Sequence, residues 1–152
     1  TLIYAASAHA RDLTGRFEPE DKGCSLKASS EGRVYRQGYF LGDGTGAGKG
    51  RQVASVILDR WERGERRHIW ISKNEALLED ARRDWTALGG LPIDIQPLVS
   101  WKLGTPIAMR NGILFVTYPT LRSGRNDATR LEQILAWAGE DFDGVIVFDE
   151  AH

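Results

Sequence analysis

Cysteine, histidine and methionine are scarce in this chain: one Cys, three His and one Met in 152 residues. With Cys24 alone no internal disulfide can form, and a reducing setting is the default expectation. His9 and His68 have no partner at metal-ligand spacing, so both are expected to be structural. There is no excess of positive charge: 20 Lys and Arg stand against 21 Asp and Glu, a net charge of −1. The global basic footprint of many nucleic-acid binders is therefore missing, and any such contact must be local or lie on parts outside this chain. No apolar run approaches the roughly 20 residues needed to span a membrane, no signal peptide is visible, and no membrane partner is expected. Internal repeats and coiled-coil heptads are also absent. With 41% apolar and 27% charged residues, the composition is that of a soluble globular domain long enough to bury a core.

Glycine is plentiful, and it is concentrated. Gly42-Asp43-Gly44-Thr45-Gly46-Ala47-Gly48-Lys49-Gly50 holds five glycines and one lysine in nine residues. It follows the apolar run Tyr39-Phe40-Leu41 and precedes Val53, Val56, Ile57 and Trp61 at helical spacing. Strand, glycine-rich turn and helix form the setting of a phosphate-binding loop, or Walker A motif. Glycines let backbone N–H groups turn inward around a phosphate, the helix start adds partial positive charge, and Lys49 reaches the outer phosphates. The fit to G-x-x-x-x-G-K-[S/T] is incomplete. Asp43 takes the first glycine position, and Gly50 stands where a Mg²⁺-ligating hydroxyl is usual. On these residues alone, a glycine-rich turn that happens to hold a lysine would look the same. Asp43 is expected to accept backbone hydrogen bonds within the loop. Arg51, at the helix start, either contacts the phosphates or lies on the surface.

The rest of the chain alternates strands with helices. Residues 1–13 carry Leu2, Ile3, Ala6, His9 and Leu13 on one expected helix face, and 14–38 is expected to be a long surface loop containing Cys24. A strand is expected over 37–41 and a helix over 49–63. A strand follows at 68–72, then a helix capped by Asn74 and ended by Gly89-Gly90. Further strands are expected over 93–98 and 113–118, with an irregular stretch at 100–111 between them. A turn-rich link then leads to a helix over 128–138, capped by Asp127 and ended by Gly139, and a last strand begins at Gly144. The continuously apolar strands predict an α/β sandwich with a mostly parallel central sheet covered on both faces. Trp61, Trp70, Trp85 and Trp137 fall on apolar faces and are expected in the core, whereas Trp101 lies in irregular sequence.

The chain closes on Val145-Ile146-Val147-Phe148-Asp149-Glu150-Ala151-His152. Two acids at the carboxyl end of a buried strand stand where ligands of open α/β sheets bind. Asp149 would hold Mg²⁺, directly or through water, and Glu150 would orient and deprotonate an attacking water. An acidic strand end facing solvent is common by itself. Together with the glycine loop, the pair makes a catalytic constellation for NTP hydrolysis. The start at Thr1 inside an apolar segment and the stop just after a strand suggest a piece of a longer protein.

Asp149-Glu150-Ala151-His152 resembles the DEAH signature of superfamily 2 helicases and translocases, and Gly44-Thr45-Gly46-Ala47-Gly48-Lys49 is similar to their first motif. Thr117-Tyr118-Pro119-Thr120-Leu121, and Ser72 with the helix after it, resemble segments that those proteins place near the nucleic-acid strand. The run Gly38 to Ala54, with Asp43 before the loop and Gly50-Arg51 after the lysine, resembles the strawberry notch helicase-like family, as does Arg130 to Glu150. The resemblance covers about residues 38–152. It implies an incomplete RecA-like lobe, 1–152, of a two-lobe ATPase: a three-layer P-loop NTPase sandwich cut off at the DEAH strand. The implied site is Gly44, Thr45, Gly46, Ala47, Gly48, Lys49, Gly50 and Arg51 for ATP, Asp149 for Mg²⁺, and Lys49, Asp149 and Glu150 for catalysis. The implied partners are nucleic acid, DNA rather than RNA, and a second RecA-like lobe, in the cytoplasm of a bacterium or the nucleus of a eukaryote. Two other readings stand beside it: a degenerate nucleotide-binding lobe serving as a regulatory or protein-interaction module, and a P-loop small-molecule kinase, which the water-activating strand end suits poorly. Because the later motifs of such enzymes fall beyond His152, this chain alone is expected to show little or no ATP turnover. Turnover assays with and without single-stranded DNA check this, and robust DNA-stimulated turnover would contradict it.

Overall fold

The computed structural model describes residues 1–20, 25–43, 46–125 and 128–150. The chain divides into two compact units, Thr1–Ala47 and Gly48–His152.

In the first unit, α1 (Leu2–His9) buries Ala5 and Ala8, while Ile3 and Tyr4 are exposed. Leu2, Ala6 and His9 of the expected face are half-buried beside them, so the buried side is shifted toward the alanines and, within α1, only Ile3 falls outside it. The segment read as loop over 14–38 contains an antiparallel pair, β1 (Phe17–Pro19) with β2 (Leu26–Ala28), in the register Phe17↔Ala28. Phe17 also bridges Arg33, and a Cβ on Gly32 would strike the Phe17 backbone, so only glycine fits this close approach. The strand expected over 37–41 does not form. A strand needs a ladder partner, and none of the described ladders includes these residues. Phe40 is 90% exposed, its ring lying against Gly42.

The second unit is built on a four-stranded parallel sheet in the order β4-β5-β3-β8, with β3 (Arg67–Ser72), β4 (Ile95–Pro97), β5 (Gly112–Thr117) and β8 (Ile146–Phe148). The connections are α2 (Lys49–Glu62), α3 (Leu77–Thr86), α4 (Tyr118–Leu121), a hairpin of β6 (Gly124–Arg125) with β7 (Ala128–Thr129), and α5 (Arg130–Ala138). Side chains alternate across the sheet. Trp70, Ile113, Phe115, Ile95 and Val147 face Ala54 and Ile57 of α2 and Ala81 and Trp85 of α3. Ile69, Ile71, Leu114 and Val116 face Leu98, Ile107, and Ile134 and Trp137 of α5. Helices on both faces make the three-layer α/β sandwich that the apolar strands predicted, consistent with a RecA-like P-loop NTPase fold.

Two helix starts differ from expectation. Asn74 does not cap α3; it sits in a turn whose carbonyl accepts from Leu77 N–H, and the helix begins three residues later. The expected cap Asp127 lies outside the described residues. Helix α5 instead starts from a capping box in which Thr129 and Glu132 bond each other's backbone N–H. Gly139, at φ +78°, ends it as expected.

Buried polar groups hold the irregular stretch over 100–111. Gln133 donates to the carbonyls of Lys102 (3.0 Å) and Thr105 (2.6 Å), Arg130 to Trp101 (2.8 Å), and Trp137 Nε1 to Met109 (2.6 Å). On the opposite side of the sheet, Trp85 Nε1 donates to Asp94 at 2.8 Å.

His68 is fully buried in β3 and structural, as expected. Its Nδ1 accepts from Val145 N–H at 3.0 Å, its Nε2 donates to the Glu65 carbonyl at 2.7 Å, and Trp61 stacks on its ring. Burial lowers its pKa to about 4; the Glu65 contact opposes the shift and the Arg60 charge adds to it. The folded pKa lies below the unfolded one, so between the two only the unfolded chain takes up the proton. The stability linked to His68 is therefore full above about pH 6.5 and is lost as pH falls toward 4, a loss on the order of 3 kcal/mol. Denaturant titrations at pH 7 and pH 4 should show this decline, and NMR should place the imidazole midpoint near 4.

Candidate nucleotide site

Carboxyl ends of three adjacent strands converge in the second unit. Strand β3 ends at Ser72, β5 at Thr117 and β8 at Phe148, with Phe148 in register with Ile71. The ladder continues one step further, Asp149 N–H donating to the Ile71 carbonyl at 2.8 Å, so Asp149 arrives beside Ser72 by strand geometry. Ser72, fully buried, donates its hydroxyl to Asp149 Oδ2 at 3.1 Å. From the first residue of α4, the Tyr118 hydroxyl donates to the Asp149 carbonyl, also at 3.1 Å. Burial raises the Tyr118 pKa, with the Asp149 charge adding to the shift. Glu150 follows at φ +53°, the sole non-glycine residue at positive φ among the described residues. Such conformations occur disproportionately where a side chain is aimed for function.

The other half of the expected site begins α2. Gly48 is its N-cap at φ +69°, in the left-handed region that glycine enters without steric penalty, and Gly46 lies at φ +83°. Lys49 and Gly50 are the first two helical residues, and Gln52 N–H closes the first turn on the Gly48 carbonyl at 3.2 Å. Arg51 is mostly exposed and pairs with Asp84 of α3 at 3.8 Å. Gly44, Thr45, Ala151 and His152 lie outside the described residues.

The described contacts therefore gather Asp149 with Ser72 and Tyr118 at the strand ends, and Gly50 and Arg51 with Asp84 at the start of α2. Asp84 was not singled out from sequence. Its one signal is its place three residues after Ala81, at the flank of the apolar stripe Leu77-Ala81-Trp85. Tyr118 was read only as part of the segment 117–121, because a hydroxyl-to-carbonyl contact over thirty residues leaves no local pattern. Among the described residues, no group of three or more His, Cys, Asp or Glu could hold a metal ion, and no helix is long and apolar enough to cross a membrane.

The chain matches, over residues 1–152, the family described as P-loop containing NTP hydrolase pore-1. It is similar to Protein FORGETTER 1 of Arabidopsis thaliana, 35% identical over 157 residues, covering all of this chain and 11% of that protein. It is similar to strawberry notch homolog 1 of Gallus gallus (42% over 126 residues, 77% of this chain and 10% of the relative). Strawberry notch homolog 2 of Homo sapiens is 44% identical over 121 residues, with 77% and 9% covered. The chain thus spans about a tenth of the length of these relatives. No solved structure matches it.

The Ser72 and Tyr118 contacts have measurable weight. A hydrogen bond to a charged group contributes roughly 1.5–3 kcal/mol and a neutral one roughly 1 kcal/mol. Ser72→Ala should therefore lower the unfolding free energy more than Tyr118→Phe in denaturant titrations, and equal or reversed effects would contradict the Asp149 pairing.

Proposed function

The chain belongs to the strawberry notch family of P-loop NTP hydrolases, and we propose that it is the ATP-binding lobe of a nucleic-acid-dependent ATPase of the helicase or translocase type, hydrolysing ATP with Mg²⁺ in the full-length protein. The observation that carries this reading is Asp149, with Glu150 after it, delivered by β8 to the carboxyl edge of a parallel sheet and bonded by Ser72. Lys49, opening α2 directly after a left-handed Gly48, supplies the complementary cation for the phosphates.

In this reading the nucleotide phosphates lie over the glycine loop and the N-terminal N–H groups of α2. Lys49 pairs with their outer oxygens. Asp149, oriented by the Ser72 hydroxyl, is the carboxylate for Mg²⁺, an ion bound through one or two carboxylates together with substrate phosphates and water. Bound there, Mg²⁺ would neutralise phosphate charge that otherwise repels the attacking water. Glu150 accepts that water's proton. The segment Thr117 to Leu121 and the residues after Ser72 are the nucleic-acid-facing parts, for DNA rather than RNA. Tyr118 joins that segment to Asp149 through its hydroxyl. A second RecA-like lobe in the whole protein completes the site, in a bacterial cytoplasm or a eukaryotic nucleus.

A second reading, a degenerate lobe with a regulatory or protein-interaction role, is favoured by one observation: Gly50 carries no hydroxyl for Mg²⁺. The two are separated with the full-length protein. ATP turnover stimulated by single-stranded DNA, reduced about 10²- to 10⁴-fold in Glu150→Gln while nucleotide binding persists, is the expected outcome. Nucleotide binding without turnover in the wild type would favour the regulatory reading.

A further inference from the structure

Asp149 is held at three points, and the sheet accounts for only the first two. Its N–H continues the β8 ladder to the Ile71 carbonyl, and its carboxylate accepts from Ser72 at the end of the neighbouring strand. Its carbonyl, the oxygen of the peptide that joins it to Glu150, accepts from the Tyr118 hydroxyl at 3.1 Å. A carbonyl carries no proton, so the hydroxyl is the donor. Asp149 is only half-buried, and water could satisfy that carbonyl equally well. A phenylalanine at position 118 would pack its ring as the tyrosine does, against the core that holds Leu114, Val116 and Ile134. What the hydroxyl adds is a link, across thirty-one residues, from α4 to the Asp149–Glu150 peptide.

Helix α4 is built to shift as a unit. It is one turn long, and its own groups close both ends. Thr117 Oγ1 accepts from Thr120 N–H at 3.3 Å and donates to Thr120 Oγ1 at 2.9 Å. Arg122 N–H returns to the Tyr118 carbonyl at 3.3 Å, and the Ser123 hydroxyl donates to the Thr120 carbonyl at 2.7 Å. Its two sides differ: Tyr118 and Leu121 pack inward on the core, while Pro119, Arg122 and Ser123 are exposed. Arg122 gives the outward side a cation suited to a phosphate backbone. We infer that Tyr118 is a positioning residue that couples the strand site to the nucleotide site, a step that rests on both sites as proposed above. A single strand seated on the outward side of α4 fixes the Tyr118–Asp149 bond, and a nucleotide seated at Asp149 and Glu150 fixes the same bond from its other end. Each ligand orders a contact that the other needs, so the coupling is positive, and by linkage both affinities change by the same factor. One neutral hydrogen bond limits the share carried by this contact to about fivefold.

The test uses the full-length protein and two probes, a fluorescent ATP analogue with Mg²⁺ and a labelled oligo-dT strand. The affinity of each is measured with and without a saturating amount of the other. In the wild type each ligand should tighten the other about fivefold or more. Tyr118→Phe removes the hydroxyl alone and should lower that factor about fivefold, equally in both directions. Thr129→Ala is the structural control: it removes the α5 cap, whose bonds are to Glu132, so it should lower the melting temperature and keep the factor. If Tyr118→Phe keeps the wild-type factor, or Thr129→Ala loses it as well, Tyr118 is structural and couples nothing. Wild-type protein that binds both probes without coupling overturns the positioning role and leaves both sites standing. Wild-type protein that binds no ATP analogue, or no oligo-dT, overturns the underlying nucleotide or strand site itself.

Discussion

The six-residue parallel pairing of β3 with β5, from Arg67↔Gly112 to Ser72↔Thr117, is the interaction on which the second unit depends. Both strands are covered by side chains on both faces, so their backbone groups have no water to bond and the ladder must satisfy them. Strands β4 and β8 add to the outer edges of this pair. Once it is set, the positions of Ser72, Thr117 and Asp149 at one end of the sheet follow from register rather than from loop conformation. A one-residue slip would turn every inward side chain to the opposite face, and the two cores suppress that alternative.

The polar groups around Asp149 are built on that frame. Ser72 and Tyr118 reach it from the ends of β3 and β5, the first bonding its carboxylate and the second its backbone carbonyl, which ties three strands to one residue. The buried Ser72 hydroxyl needs a partner, and a carboxylate at a strand end offers a strong one. Glu150, immediately after, takes a left-handed backbone conformation. The start of α2 also meets α3: the Asp84 carboxylate lies beside Gly50 and pairs with Arg51.

Much of this was legible in the residues because it is periodic or local. The apolar runs 68–72 and 113–117 could only be strands of a sheet covered on both sides, and the glycine ends at Gly89 and Gly139 marked helix stops. Helix α2 followed from Val53, Ile57 and Trp61 at helical spacing. What was not legible depends on partners far along the chain. Tyr39-Phe40-Leu41 has the composition of a strand but lies in no described ladder. In α1 the most buried residues are Ala5 and Ala8, which carry no periodic signal of large side chains, while Leu2, Ala6 and His9 are half-buried. Gln133 looks like an ordinary surface residue of α5, yet it is buried and holds the carbonyls of Lys102 and Thr105.

By itself, the sequence determined the α/β class, the glycine loop before a helix, and the acid pair after a buried strand, because hydrophobic period and turn chemistry act over a few residues. Only the tertiary structure decided the strand order, the contacts that hold Asp149, and what lies beside Gly50. A glycine is silent about what fills the space beside it. Here that is a carboxylate thirty-four residues away, brought in by the packing of α3 against α2.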